Sequence, residues 1–141
     1  MDFKDYVKFA NENPECYLAT VDGDQPRVRP LKMWFADETG FYFQSQSVKA
    51  LCQQIQKNPK VEIAYFSPQE HKVMRVTGKV KFIDDMELRK KCYEERPVLK
   101  ESGIKGPEDP LLAAFHVYTG EAYFWTGADT MKEAEIPRVK F

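Results

Sequence analysis

Two polar runs in this chain have the residue types and spacing to hold an anion. The first is Arg27-Val28-Arg29-Pro30-Leu31-Lys32. The second, Gln44-Ser45-Gln46-Ser47-Val48-Lys49, follows an aromatic strand, Phe41-Tyr42-Phe43. A phosphate monoester is nearly a dianion at neutral pH, and holding it takes cations together with several directed N–H or O–H donors. Hydroxyls and a lysine at a helix start supply both, because the first turn also offers free backbone N–H groups and the positive end of the helix dipole. Ser47, Val48 and Lys49 stand at such a start. Arg27 and Arg29 are two apart and share a strand face, whereas Lys32, five from Arg27, falls on the other face of a regular strand. Pro30 invites a bulge that would reset this parity. The structural alternative is that the cations form a solvated strand face and that Ser47 only caps a helix.

The elements that must position these groups are legible from periodicity. Phe3, Tyr6, Val7 and Ala10 recur at helical spacing, which predicts a helix over residues 2–12, ended by Asn13-Pro14. Residues 16–21 read as a strand, turned at Asp22-Gly23-Asp24 into a second strand over 27–35. A turn at 37–40 leads to the strand at 41–43. Ser47 is the expected N-cap of a helix from Val48 to Lys57, which stops at Asn58-Pro59. Strands follow at 61–66 and 73–82, the latter with Met74, Val76, Val80 and Phe82 on one face and Arg75, Thr77, Lys79 and Lys81 on the other. A helix is expected over 84–95, a loop over 97–110, a helical turn over 110–114, and a hairpin of strands 115–118 and 122–125 about Thr119-Gly120-Glu121. About seven short strands with a few helices predict one mainly β domain over residues 1–141, a small β-barrel with helical covers.

The chain has 141 residues and a formal net charge of −1, which argues against a general nucleic-acid binder. No apolar run is long enough for a membrane span, and the N-terminus has no signal-peptide core. Three widely spaced cysteines predict free thiols in a reducing cytoplasm. His71 and His116 are the only histidines, and neither neighbours a cysteine at ligand spacing, so no metal site is expected. His71 reads as a loop residue and His116 as a satisfied structural one. No Ser-His-Asp or Cys-His arrangement offers a nucleophile.

From Tyr17 to Ile83 the order of segments resembles the pyridoxamine 5′-phosphate oxidase-like, FMN-binding split-barrel family. Arg27-Val-Arg-Pro-Leu-Lys32 looks like its phosphate-binding strand, and Gln44 to Lys49 like the turn into its phosphate-side helix. Asn58-Pro59-Lys60-Val61 looks like the end of that helix, and Val73-Met74-Arg75-Val76-Thr77-Gly78-Lys79 like its long strand. The resemblance implies a six-stranded antiparallel Greek-key barrel that forms a homodimer, with FMN at the subunit interface. It implies that Arg27, Lys32, Ser45, Ser47 and Lys49 hold the phosphate end, with Arg29 a weaker member. Gln44 would face the ribityl chain or ring, and Trp125 would approach the flavin from the partner chain.

Departures from the oxidase proper are equally plain. Its Arg-Leu-His run after the tryptophan is replaced here by Thr130-Met131-Lys132-Glu133-Ala134-Glu135, its flavin-contacting glutamine aligns near Val73, and the turn before Lys49 is shorter. The expectation is an FMN-dependent oxidoreductase acting on a small molecule other than a B6 vitamer. A non-catalytic flavin or haem binder, a stress-related dimer, and a deazaflavin-dependent reductase are the alternatives that the same barrel allows.

Overall fold

The computed structural model describes all residues, Met1–Phe141. Helix α1 (Phe3–Glu12) starts at Asp2, whose carboxylate accepts from the Lys4 N–H at 2.9 Å, while Asp5 accepts in return from the Asp2 N–H at 3.0 Å. These reciprocal bonds satisfy donors that a helix start leaves free. Tyr6, Phe9 and Ala10 form its buried face, as their spacing predicts.

Strands β1 (Glu15–Asp22) and β2 (Gln25–Lys32) make a hairpin whose turn uses Gly23 at φ 66°. Their register runs unbroken from Asp22 opposite Gln25 to Glu15 opposite Lys32. The bulge expected at Pro30 is therefore absent. Pro30 is accommodated because β2 borders the sheet, where a missing N–H breaks no ladder. The strand expected over 27–35 divides. After Lys32 the chain bends at Met33 and Trp34, and β3 (Phe35–Asp37) pairs instead with β4 (Gly40–Gln46). Met33 donates to the Pro14 carbonyl and Trp34 to the Tyr42 carbonyl, at 2.8 and 2.9 Å, so this corner changes partner between adjacent residues.

Helix α2 spans Ala50–Lys57, strand β5 Lys60–Ser67 and strand β6 Lys72–Phe82. Helices α3 (Met86–Glu95) and α4 (Pro97–Glu101) precede β7 (Leu112–Thr126). Two short 3₁₀ turns then lead to β8 (Val139–Lys140), which pairs with β7. All pairings are antiparallel, in the order β2-β1-β5-β6-β7-β4-β3. The two ends of this order are consecutive in the chain and joined only by Met33 and Trp34, so the sheet curls until its borders meet. Six long strands with two short ones thus make a mainly β, Greek-key split barrel with helical covers. Its interior holds Leu18, Phe41, Phe43, Ile63, Tyr65, Met74, Val76 and Phe115. A second cluster, with Tyr42, Cys92, Leu99, Ile104 and Leu112, packs α3 and α4 against the outer face of β4 and β7.

Four further local expectations are corrected. Ser47 does not cap α2: its N–H donates to the Leu111 carbonyl at 2.9 Å, and a turn from Gln46 to Lys49 moves the N-cap to Lys49. The expected loop over 97–110 contains α4, started by a proline whose lost N–H costs nothing at that position. Neither the helical turn at 110–114 nor the hairpin at 119–121 forms. β7 runs straight through, with only a register shift opposite Lys79 and Val80. Gly120 there lies against β6, and a Cβ on it would overlap the Thr77 carbonyl oxygen. The glycine marks a close strand approach rather than a turn. No helix is long and apolar enough to cross a membrane.

Candidate functional site: a cationic cleft

The ends of β2 and β4, the start of α2 and the junction of α3 with α4 meet around a cleft of about 500 Å³. Lys32, Gln44, Ser45 and Lys49, all expected at the site, line it. So do Gln46 and Arg96, to which the sequence reading gave no role. The lining contains three cations and no carboxylate, and none of the three enters an ion pair. An uncompensated positive lining with low-dielectric walls favours an anion.

Alternation along β4 places these groups. Phe41, Phe43 and Ser45 point into the barrel, and Tyr42, Gln44 and Gln46 to the face covered by α3 and α4. With the Gln44 amide assigned so that its oxygen faces Arg96, it accepts from Nε and Nη2 at 3.2 Å each, which fixes the guanidinium on the cleft wall. Ser45 is 4% exposed, and its Oγ lacks a hydrogen-bond partner of normal geometry. Its neighbour, the Cys52 thiol, donates to the Gln46 carbonyl at 3.3 Å. Burial raises the Cys52 pKa, offset in part by Ser45 and by the charges of Lys49 and Arg29. Gln46 is oriented by a chain of bonds: Ser102 gives its one hydroxyl proton to Leu99 O at 2.8 Å and so accepts from Gln46 Nε2 at 3.1 Å. This leaves Gln46 Oε1 as a second buried, unpartnered polar atom of the lining. Buried polar atoms in folded proteins are normally hydrogen-bonded to protein, water or ligand, so both atoms can serve a molecule in the cleft.

The other expected residues stand outside the cleft in a single chain. Arg27 is at the hairpin end of β2, paired with Asp22 at 3.3 Å on an exposed surface. Arg29 points inward, toward Thr20 and Gln54. Ser47 is half-buried in the turn before α2. Trp125 lies near the far end of β7, eleven residues beyond Ala114, the strand partner of Gln44. At roughly 3.3 Å per residue, that is about 36 Å along the strand. Its indole N–H is buried and unpartnered. His71 is an exposed turn residue at φ 51°, and His116 stacks on Tyr42 at 4.0 Å with Nε2 2.7 Å from the Thr39 carbonyl.

A larger hollow, of about 670 Å³, lies between α1, the β3–β4 turn and the C-terminal residues. Asp2, Asp37 and Glu38 balance Lys4, Lys8 and Lys140 there, and no unpartnered buried atom faces it. It offers no charge selection, so the smaller cleft is the better site. The signal for Arg96 was in the sequence as Arg96-Pro97, a cation at a forced helix break. Its meaning depended on α4 folding back toward β4, which no local pattern announces.

The fold is a mainly β split barrel with a cation-lined cleft at its open corner. The family model for pyridoxamine 5′-phosphate oxidase matches residues 3–126. The chain belongs to the pyridoxamine 5′-phosphate oxidase-like family. A pyridoxine/pyridoxamine 5′-phosphate oxidase of Pseudomonas putida (strain W619) is 31% identical over 105 residues, 73% of this chain and 48% of that protein. The chain thus spans about half the length of the curated relatives it matches. Among solved structures, a NimC/NimA family protein from Clostridium acetobutylicum superposes with a TM-score of 0.80 at 30% identity, covering 98% of this chain and 92% of that one. A pyridoxamine 5′-phosphate oxidase-related, FMN-binding protein from Nostoc punctiforme shares the fold, with a TM-score of 0.75 at 16% identity over 98% and 95% of the two chains.

Proposed function

We propose that the cleft holds the phosphate end of flavin mononucleotide and that the protein is a flavin-dependent oxidoreductase acting on a small molecule. The observation that carries this reading is the lining itself: Lys32, Lys49 and Arg96 without a carboxylate, with Gln44, Ser45 and Gln46 between them. Lys32 and Lys49 supply charge, and Ser45 supplies a directed O–H. Gln44 holds Arg96 on the opposite wall. Arg27 and Ser47, named by family position, are assigned no phosphate contact because they stand outside the cleft. The bound flavin would supply the redox chemistry, accepting and returning an electron pair. The lining contains no histidine, cysteine or carboxylate to act as nucleophile or general base, which suits a protein that binds and orients while its cofactor reacts.

A homodimer completes the reading. On the outer face of the barrel, Pro30, Tyr17 and Ala64 stand abreast on neighbouring strands, as do Phe66, Val73 and Trp125. Tyr17 is 58% exposed and Phe66 49%. An apolar stretch of this kind supports contact with a second copy, which would carry Trp125 toward the neighbour's cleft. Three unpaired thiols fit a reducing, cytoplasmic setting.

The reading is tested by the visible spectrum of the purified protein and by binding of FMN against riboflavin. The expected result is a yellow protein, or a colourless one that takes up FMN and binds riboflavin far more weakly. Absence of flavin uptake at the FMN concentrations that load a flavoprotein would end it.

A further inference from the structure

Arg29 has an unusual setting for a surface-strand cation. Its Nη1 donates to Thr20 Oγ1 at 2.9 Å and its Nη2 to Gln54 Oε1 at 2.6 Å, with a longer contact of 3.4 Å from Nη1 to the Leu18 carbonyl. Thr20 in turn donates to the same Gln54 oxygen at 2.6 Å. One guanidinium thus gathers β1, β2 and α2 into a closed triangle of hydrogen bonds. It has no carboxylate partner, and burial, followed by the charge of Arg27, lowers its pKa. A half-buried cation spent on neutral partners is costly unless its geometry matters.

What the triangle holds is the helix that carries Lys49. The start of α2 is already tied to the end of β4, through Cys52 to the Gln46 carbonyl, and to the turn before it, through Gln53 to the Ser47 carbonyl at 3.2 Å. Leu51 and Ile55 bury its apolar face in the core. Gln54 is the polar side chain through which Arg29 and Thr20 fix its seat against β1 and β2.

We infer that Arg29 is a positioning residue: through Gln54 it fixes α2, and so sets where Lys49 meets the anionic group bound in the cleft. This rests on the phosphate reading above and deepens it. In this role Arg29 acts through Gln54 and not on the ligand itself. A lysine could not replace it, because one ammonium does not reproduce two divergent bonds in a planar fork.

The test measures FMN and riboflavin affinity for the wild type, Arg29→Met, Gln54→Met and the double variant, with folding checked by circular dichroism and thermal midpoint. Each single variant is expected to weaken FMN about tenfold while leaving riboflavin within about twofold. The double variant is expected to lose no more than either single, because both remove one brace. Unchanged FMN-to-riboflavin selectivity in folded single variants overturns the inference, and so does an additive loss in the double variant, which would mean independent roles. Thr20→Val, which removes one corner by a near-isosteric change, gives the same reading if Arg29→Met does not fold. A wild type that fails to prefer FMN removes the phosphate reading itself. A wild type that prefers FMN with variants that keep the preference removes only the role of Arg29.

Discussion

Ser45 separates ligand binding from folding more cleanly than any other residue of the cleft. Its buried hydroxyl has no partner of normal geometry in the protein, so Ser45→Ala should leave the thermal midpoint of the ligand-free protein unchanged or slightly raised. The same change should weaken FMN by about 1 kcal/mol or more, because a directed donor is lost. Isothermal titration beside a melting curve checks both halves. Lys49→Ala should cost about 1.5–3 kcal/mol of FMN binding, as charge-assisted bonds do, and Arg27→Ala less than about 0.5 kcal/mol, as exposed pairs do. The residue types at this site were legible from sequence, since cations and hydroxyls near a helix start announce an anion. Which cations converge was not. The parity of β2 turned on whether Pro30 bulged, and Arg96 depended on a tertiary fold-back. The cysteines also report at this scale. Burial pushes the Cys16 thiol up to about 12 and Cys92 up to about 11, and raises Cys52 as well. A raised folded pKa gives stability that is complete below the ordinary thiol value and is lost as pH rises toward the folded one. The melting temperature should therefore fall as pH rises from about 9 toward 12, and fall less in Cys16→Ala. At pH 8 a thiol reagent should label none of the three before unfolding.

Among the elements, β7 decides the geometry of the barrel. It pairs with β6 along most of its length, with β4 over its first half and with β8 over its second. The Thr119-Gly120-Glu121 run reads locally as a turn, and tertiary pairing overrides it: opposite Gly120 stands Gly78, and two glycines let the strands close up. Gly120→Ala should destabilise the fold by about 3 kcal/mol or more, since its Cβ would overlap the Thr77 carbonyl and backbone cannot yield as a side chain does. Chemical denaturation measures this; a loss under 1 kcal/mol would mean that the strand approach is looser than described. By contrast, α1, β1, β5 and β6 were readable almost residue for residue, because an unbroken apolar period and a clean stop signal mark each of them. α4 was not, because a five-residue helix has no period to show. Arg89 explains how the segment around it is held: it donates to the carbonyls of Pro107, Asp109 and Leu112, at 2.8, 3.1 and 3.1 Å.

At the scale of the whole molecule, the barrel closes because its two bordering strands are one continuous piece of chain. The cleft opens where that piece bends away from the end of β4. The architecture was legible from the order of turns and apolar runs together with the family resemblance. The second copy rests on the apolar outer face. Light scattering should give a dimer for the wild type, and Tyr17→Asp or Phe66→Asp should shift it toward monomer and weaken flavin binding together. A monomeric wild type with full flavin affinity would remove the second copy from the site. The most direct test of the central claim is the ratio of FMN to riboflavin affinity, measured side by side on the purified protein freed of any bound cofactor. A cleft built around the flavin's phosphate predicts a preference for FMN of at least about a hundredfold, which Lys49→Ala cuts by about tenfold or more. Equal affinities, or a preference indifferent to Lys49, would contradict it.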